Sequence, residues 1–469
     1  MTDPSGGTEA DPPADSARRP VPAEPEEDAF GRVEAALRTR WPESKLEPSL
    51  DRIRALVDLL GEPQRAYPVI HVAGTNGKTS TARMIDALLR EFGLRVGRFT
   101  SPHLASVTER ISLDGAPIDR GRFVAAFDDV APYLDLVDKE QPVPLSYFEV
   151  LTAMGFVAFA DAPVDVAVVE VGMGGSWDST NVADGRVAVV TPVALDHTRY
   201  LGSTVAAIAG EKAGVIKPGS IAVLARQTPD AADVLLRRSA EVDATVAREG
   251  QEFGVLRRAV AVGGQQLVLQ GLGGVYDELF LPLYGAHQAQ NAACALAAVE
   301  AFFGAGAVGS LDLETVRSAF AGVTSPGRLE PVRTAPTVLV DAAHNTHGMA
   351  ATVAALAEAF QFRRLVGVVA VLVDKDVRGM LDELQPALDE IVVTQNSSHR
   401  RLPADDLAAL AVKIFGADRV TVEPRLDDAI ETAVRLAEEG EDQLGGSGVL
   451  ITGSVVTAGE ARTLLGASP

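Results

Sequence analysis

Along most of the chain, short and nearly continuous apolar runs alternate with stretches in which apolar positions recur every three to four residues. The first pattern predicts buried strands and the second amphipathic helices. Segments 67–74 (YPVIHVAG), 94–100 (LRVGRFT), 164–172 (VDVAVVEVG) and 187–193 (VAVVTPV) read as strands, and 80–93 (STARMIDALLREFG) as a helix closing on Gly93. Such runs, separated by helices, predict a parallel sheet covered on both faces. Upstream, one helix is expected near Phe30 and another over 49–61, with Ser49 as N-cap, Ile53, Leu56, Val57 and Leu60 as its stripe and Gly61 as its stop. Between 220 and 284 the texture changes. Runs at 220–227, 244–250, 253–262 and 265–271 with Gly-rich turns predict a small antiparallel sheet packed on the main one. Residues 287–304 read as a long Ala-rich helix. TSPGRLEPV (324–332) is rich in turn residues and marks a linker. Beyond it a second βα series runs through 337–345, 364–372, 390–395, 419–424 and 448–454. The expected class is α/β: a large parallel-sheet domain over 29–323 with a small accessory antiparallel sheet, then a smaller Rossmann-like α/β domain over 333–469.

Composition narrows this picture. Residues 1–28 hold six prolines and eight acidic residues, with Met1 and Val21 the only large aliphatics, and are expected to be disordered. The 469 residues carry 42 Lys and Arg against 64 Asp and Glu, a net charge of -22, which argues against nucleic acid as a partner. No run approaches the roughly 18 uninterrupted apolar residues of a membrane span. The N-terminus lacks a signal-peptide pattern, so a cytoplasmic protein is expected. The single cysteine, Cys294, excludes an intrachain disulfide and a cysteine-based zinc site. An acidic surface still permits anionic small ligands, because a phosphate site needs only local N–H dipoles and one or two cations.

The strongest local signal is VAGTNGKTS (72–80), placed between a strand and a helix. Backbone N–H groups of a Gly-rich P-loop at a helix N-terminus bind phosphate, and Lys78 can reach the outer phosphates. Thr79 and Ser80 offer hydroxyls for phosphate or magnesium. Val72 stands where the usual P-loop begins with glycine. Glu170 ends an apolar strand, at the edge where open α/β sheets bind ligands, and its carboxylate suits magnesium. His197 follows another strand and reads either as a structural residue or as a metal ligand. Lys212, in GEKAGVIKPG (210–219), either pairs with Glu211 or another carboxylate, or is a buried functional lysine. Asp341, His344 and Asn345 lie where a strand passes to a helix and read as a ligand site or as helix caps. Gly453 and Ser454 repeat that arrangement.

Together with FTSPHL (99–104), SYFEVLTAMGF (146–156), VVEVGMGG (168–175), LDH (195–197), GAHQAQNAACALAA (285–298), SPGRLE (325–330) and DAAHN (341–345), these motifs occur in an order that resembles the folylpolyglutamate synthase / dihydrofolate synthase family, cousins of the Mur ligases, over about residues 45–465. The resemblance implies an ATP-dependent ligase that phosphorylates a pterin-linked carboxylate and lets the amine of L-glutamate attack the acyl phosphate. Dihydropteroate, reduced folates or both would be the acyl substrates, two magnesium ions the metal complement, and a monomer the functional unit. By motif, Gly74, Thr75, Asn76, Gly77, Lys78, Thr79 and Ser80 would hold the ATP phosphates, with Asn291, Arg328 and Asp341 at the nucleotide between the domains. Ser101, Glu170, His197 and a carbamylated Lys212 would be magnesium ligands. Pro102, His103 and Phe148 would flank the pterin, and His344 with Ser454 would face glutamate. Lys78, Lys212 and His344 are the implied catalytic set. The chain departs from the family pattern in GKTS for GKGS, DAAHN for DGAHN, and TGSVVT without an aromatic after the serine. Two alternatives remain: another Mur-type amino-acid ligase, against which the lack of a long domain ahead of the P-loop weighs, and a P-loop nucleotide switch.

Overall fold

A computed structural model of the chain describes residues 26–42, 45, 47–304, 309–439 and 446–467. Most of the segment expected to be disordered, residues 1–25, lies outside the described residues. The helix Glu26–Arg38 nonetheless begins inside the 1–28 segment. Glu26, Glu27 and Asp28 occupy its first turn, where carboxylates face the positive end of the helix. Phe30, Val33 and Leu37 anchor it, the Phe30 ring lying 5.6 Å from that of Phe123. In the next helix, Asp51–Leu59, the cap position is Leu50 rather than Ser49; the Ser49 hydroxyl instead accepts from the Asp51 amide at 3.0 Å. Gly61, with φ 77°, ends it.

Eight strands form the large sheet: β1 (Val69–Ala73), β2 (Val96–Phe99), β3 (Ile111–Leu113), β4 (Ala116–Pro117), β5 (Val166–Glu170), β6 (Gly185–Val190), β7 (Ile221–Leu224) and β8 (Thr245–Arg248). Their order is β4-β3-β2-β5-β1-β6-β7-β8. The six strands from β2 to β8 run parallel, and β3 and β4 turn back antiparallel at one edge. Two runs assigned from the sequence to the accessory sheet therefore belong to the main one. Between them lies the helix Pro229–Glu241, whose Ala231, Leu235 and Ser239 are buried at four-residue spacing. That spacing marks a helical crossover between parallel strands, which short apolar runs alone do not reveal. The antiparallel sheet comprises β9 (Gly254–Ala261), β10 (Gly264–Gln270) and β11 (Val275–Leu281).

The C-terminal sheet contains β12 (Glu330–Thr334), β13 (Thr337–Val340), β14 (Arg364–Val369), β15 (Glu390–Val393), β16 (Val420–Val422) and β17 (Ser447–Thr452), in the order β12-β13-β17-β14-β15-β16. All pairs are parallel except β12 with β13. The end of the expected linker is thus already strand, since β12 starts at Glu330. The first two sheets are called the N-terminal lobe below, and the third the C-terminal lobe.

The helices Lys78–Glu91 and Ala286–Phe303 share one core with β1, β5 and β6, built around Met84, Leu88, Leu296 and Val299. Strand order reverses around β1, between β5 and β6, and again at β17, between β13 and β14. Such reversals open crevices at the carboxyl ends of strands. No helix among the described residues is long and apolar enough to cross a membrane.

Candidate active site

The turn from β1 into the helix Lys78–Glu91 is shaped by glycine. Gly77 caps the helix at φ 88°, and a Cβ there would meet the Asn291 Oδ1 at 2.5 Å. Gly74 has φ 143°, and a Cβ on it would lie 1.8 Å from the Thr191 hydroxyl. Only glycine tolerates both the torsions and the approach. The loop is pinned from below: the Thr75 amide donates to the Pro192 carbonyl at 3.0 Å, and its hydroxyl bridges the backbone of Ala194. The Lys78 ammonium donates to the Thr75 carbonyl at 3.2 Å, folded over the loop that its charge would complement.

Glu170, at the end of β5, lies opposite. The Thr79 hydroxyl donates to its two carboxylate oxygens at 2.9 and 3.0 Å. Burial raises the Glu170 pKa, against the opposing pull of Lys78, the Thr79 hydroxyl, the Ser101 amide and Arg328. Lys212, reaching in from the helix Val205–Lys212, donates to the Gly74 carbonyl at 2.7 Å. Burial first, and then the nearby Lys78 charge, lower its pKa to about 7, so an appreciable fraction is neutral amine at pH 7. His197 sits at φ 49°, and burial lowers its pKa to about 4. Its ring is neutral at pH 7 and has a lone pair to offer.

One cleft gathers Gly74 to Thr79, Ser101, Pro102, Glu170, His197 and Lys212 from the N-terminal lobe, with Arg328 from the linker and His344 from the C-terminal lobe. The His344 Nδ1 lies 3.0 Å from the Ala342 carbonyl, which can only accept, so the proton is on Nδ1 and Nε2 is an acceptor. Burial lowers this histidine too to about 4.

Six of the residues to which the resemblance gives a site role do not line this cleft. Ser80 is buried with its hydroxyl 3.0 Å from that of Ser325. Asn291 packs behind Gly77 and donates to Gln288. Asp341 is spent on its own lobe, accepting from the Leu329 and Ala343 amides and the Thr352 hydroxyl, all at 2.9 Å. His103 accepts from Arg110 at 3.0 Å. Phe148 lies against Gly172, itself a cleft residue, and 5.8 Å from the Phe99 ring. Ser454 caps the helix Val455–Leu464, accepting from the Thr457 amide at 3.0 Å, and leaves the cleft wall to Val455.

Sequence reasoning passed over Asp196, the middle residue of LDH, and Lys375, in the turn after β14. Lys375 donates to the Asp196 carboxylate at 2.7 Å across the two lobes. Burial pushes Asp196 up, but His197, Lys375 and His344 outweigh it and hold the carboxyl well below the usual range. Glu170 is the last residue of its strand, whereas Lys375 lies in the loop beyond β14, where the rule of polar residues at strand ends does not single it out.

Among the described residues no three His, Cys, Asp or Glu side chains converge as a metal cluster. Magnesium does not require one. It is satisfied by one or two carboxylates, hydroxyls, waters and substrate phosphate, and the buried Glu170 carboxylate beside the Thr79 hydroxyl and the glycine loop suits that demand.

The chain matches the Mur ligase middle domain over residues 72–299 and the Mur ligase glutamate ligase domain over residues 327–455. It is 54% identical over 478 residues to a dihydrofolate synthase/folylpolyglutamate synthase of Mycobacterium tuberculosis, covering 98% of each chain. The structure is similar to that of a Mycobacterium tuberculosis folylpolyglutamate synthase complexed with ADP and AMPPCP, with a TM-score of 0.90, 55% identity, and 95% and 100% of the two chains covered. A folylpolyglutamate synthase–AMPPCP–folate complex matches with a TM-score of 0.81 at 31% identity, over 93% and 99% of the chains.

Proposed function

The chain belongs to the folylpolyglutamate synthase / dihydrofolate synthase family of Mur-type, ATP-dependent ligases, and on that premise we propose that it carries both family activities, adding L-glutamate to dihydropteroate and to reduced folates. One observation supports this most directly: the glycine loop 74–79, Glu170, Lys212 and His197 share a single cleft with Arg328 of the linker and His344 of the other lobe. A reaction with three anionic reactants needs such a two-sided site.

A carboxylate is a poor acyl donor. Transfer of the ATP γ-phosphoryl group to the folate or pteroate carboxylate forms an acyl phosphate and ADP; the glutamate amine then attacks that carbonyl, phosphate leaves, and the amide forms as the amine loses a proton. The amides of residues 74–79 would orient the phosphates, and Lys78 would swing from the Thr75 carbonyl to the transferring group. Arg328 is placed to screen charge from the opposite wall. The His344 Nε2 acceptor would take a hydrogen bond from the attacking amine. Magnesium would be held by Glu170 with Thr79 or Ser101, and by His197 with Lys212 as its carbamate, and would neutralise phosphate charge. A neutral Lys212 amine is the form that reacts with CO2, which its pKa of about 7 favours. Phe148 and Pro102 would flank the pterin. Asn291 and Asp341 would act on the nucleotide through the loops they brace, and Ser454 on glutamate through the helix it caps. The lobes are taken to divide within 324–329, ahead of β12. A cytoplasmic location is the expectation that the composition supports, and a monomer is the one that the family resemblance implies.

The test is a mass-spectrometric assay with Mg-ATP and glutamate, offering dihydropteroate and a reduced folate separately. Glutamyl addition to both establishes the bifunctional enzyme; addition to one assigns the single activity; addition to neither, with ATP still bound, points to another acyl substrate.

A further inference from the structure

Asp196 receives two donors from the C-terminal lobe. Lys375 reaches its Oδ1 at 2.7 Å, and Asn345 donates to its Oδ2 at 3.1 Å. Both side chains of the ion pair are buried, 7% and 9% exposed. Both Nδ2 hydrogens of Asn345 are used. Its Nδ2 also donates to the P-loop Asn76 Oδ1 at 3.0 Å, and its own Oδ1 accepts from the Gly348 amide at 2.8 Å, capping the helix Thr346–Ala359. His347 adds a contact from its Nδ1 to the Asn76 Nδ2 at 3.1 Å.

A buried ammonium and carboxylate stabilise a structure only while paired, because separating them within the protein leaves each without compensation. Parting the lobes would expose both groups to water, so the contact as paired favours the closed arrangement. Asp196 also touches the next residue directly: its Oδ1 accepts from the His197 amide at 2.8 Å. His197 is held at φ 49°, a torsion that non-glycine residues adopt only when the surroundings hold them there.

We propose that Lys375 and Asn345 are positioning residues: together they clamp Asp196 from across the linker, so that His197 takes its place in the cleft only when the two lobes are closed. The inference rests on the ligase reading only in treating this cleft as the reactive one. The clamp is a property of the ligand-free chain and is tested without turnover.

The experiment compares the full-length chain with Lys375→Met, Lys375→Arg and Asn345→Ser by small-angle scattering and amide exchange. Serine keeps a capping oxygen but loses both Nδ2 donors. Lys375→Met and Asn345→Ser are expected to enlarge the radius of gyration and to speed exchange over 324–329, whereas Lys375→Arg stays compact. In turnover, Lys375→Met is expected to lower kcat by about 10–100-fold, the usual cost of losing a group that orients a ligand, with the KM for ATP changed less than about twofold. Should Lys375→Met not fold, Asn345→Ser alone decides. Wild-type scattering from Lys375→Met and Asn345→Ser would overturn the proposal, as would a raised KM for folate or glutamate with kcat intact, since Lys375 would then be touching substrate. Failure of the wild-type chain to add glutamate would sink the folate reading and leave the scattering result standing.

Discussion

The Thr79 hydroxyl donates to both carboxylate oxygens of Glu170, joining the first turn of the P-loop helix to the end of β5 across 91 positions of sequence. The contact places the loop's hydroxyl and the buried acid where one cation would meet both. Glu170→Gln keeps the size of the side chain and removes its charge. Turnover should fall by about 100-fold or more while the circular dichroism spectrum stays that of the parent. Near-normal activity would overturn the proposed metal role of Glu170.

Lys212 links protonation to stability. Its folded pKa is lowered from 10.5 to about 7. Between those values the unfolded chain holds a proton that the folded chain has lost, so stability rises with pH across that window. Against a Lys212→Met reference, which lacks the titration, the ligand-free parent should gain stability in urea melts from pH 7 towards pH 10. A pH-independent difference would contradict the lowered pKa. If the amine is carbamylated at neutral pH, labelled CO2 should give a carbamate carbon signal in the parent that is missing from Lys212→Met.

Gly459 lies in the helix Val455–Leu464, where a Cβ would come within 2.0 Å of the Leu104 carbonyl oxygen. Leu104 belongs to the SPHL loop of the other lobe, so this glycine permits a backbone-to-backbone approach of the two lobes. Gly459→Ala must push them apart at that point, costing about 1–3 kcal/mol. A lower urea midpoint together with weaker nucleotide binding is expected. An unchanged midpoint would mean that the lobes yield there without cost.

Glu149 follows Phe148 in the SYFE segment, and the structure gives it internal work. It is buried, pairs with Arg52 at 3.0 Å, and accepts from the Ser146 amide at 2.7 Å in a capping box. Glu149→Ala leaves the Arg52 charge buried and the cap undone, and should destabilise the chain by about 3–5 kcal/mol. Thermal melts of the variant, alone and with Arg52→Met, test it. Partial recovery in the double variant is expected, because no unpaired charge then remains.

The glycine turn into the helix Lys78–Glu91, the acid that ends β5 and the succession of strands and helices were legible in the chain because each depends on neighbours in sequence. Glycines must stand where torsions turn positive, and a buried strand must be apolar from end to end. Residue order alone could not say that β7 and β8 join the main sheet, since a strand of four residues looks the same in either sheet. Nor could it tell Asp341 and Ser454, whose hydrogen bonds close within their own lobe, from Arg328 and His344, which face the cleft.

Sequence by itself therefore determined the class of chemistry, through local backbone geometry and motif order. Tertiary structure alone decided which polar side chains converge. Asp196 meets Lys375 across 179 positions and Asn345 across 149. Such a meeting depends on how two separately built sheets are set against each other, and that is fixed by the packing of the whole chain rather than by the residues that meet.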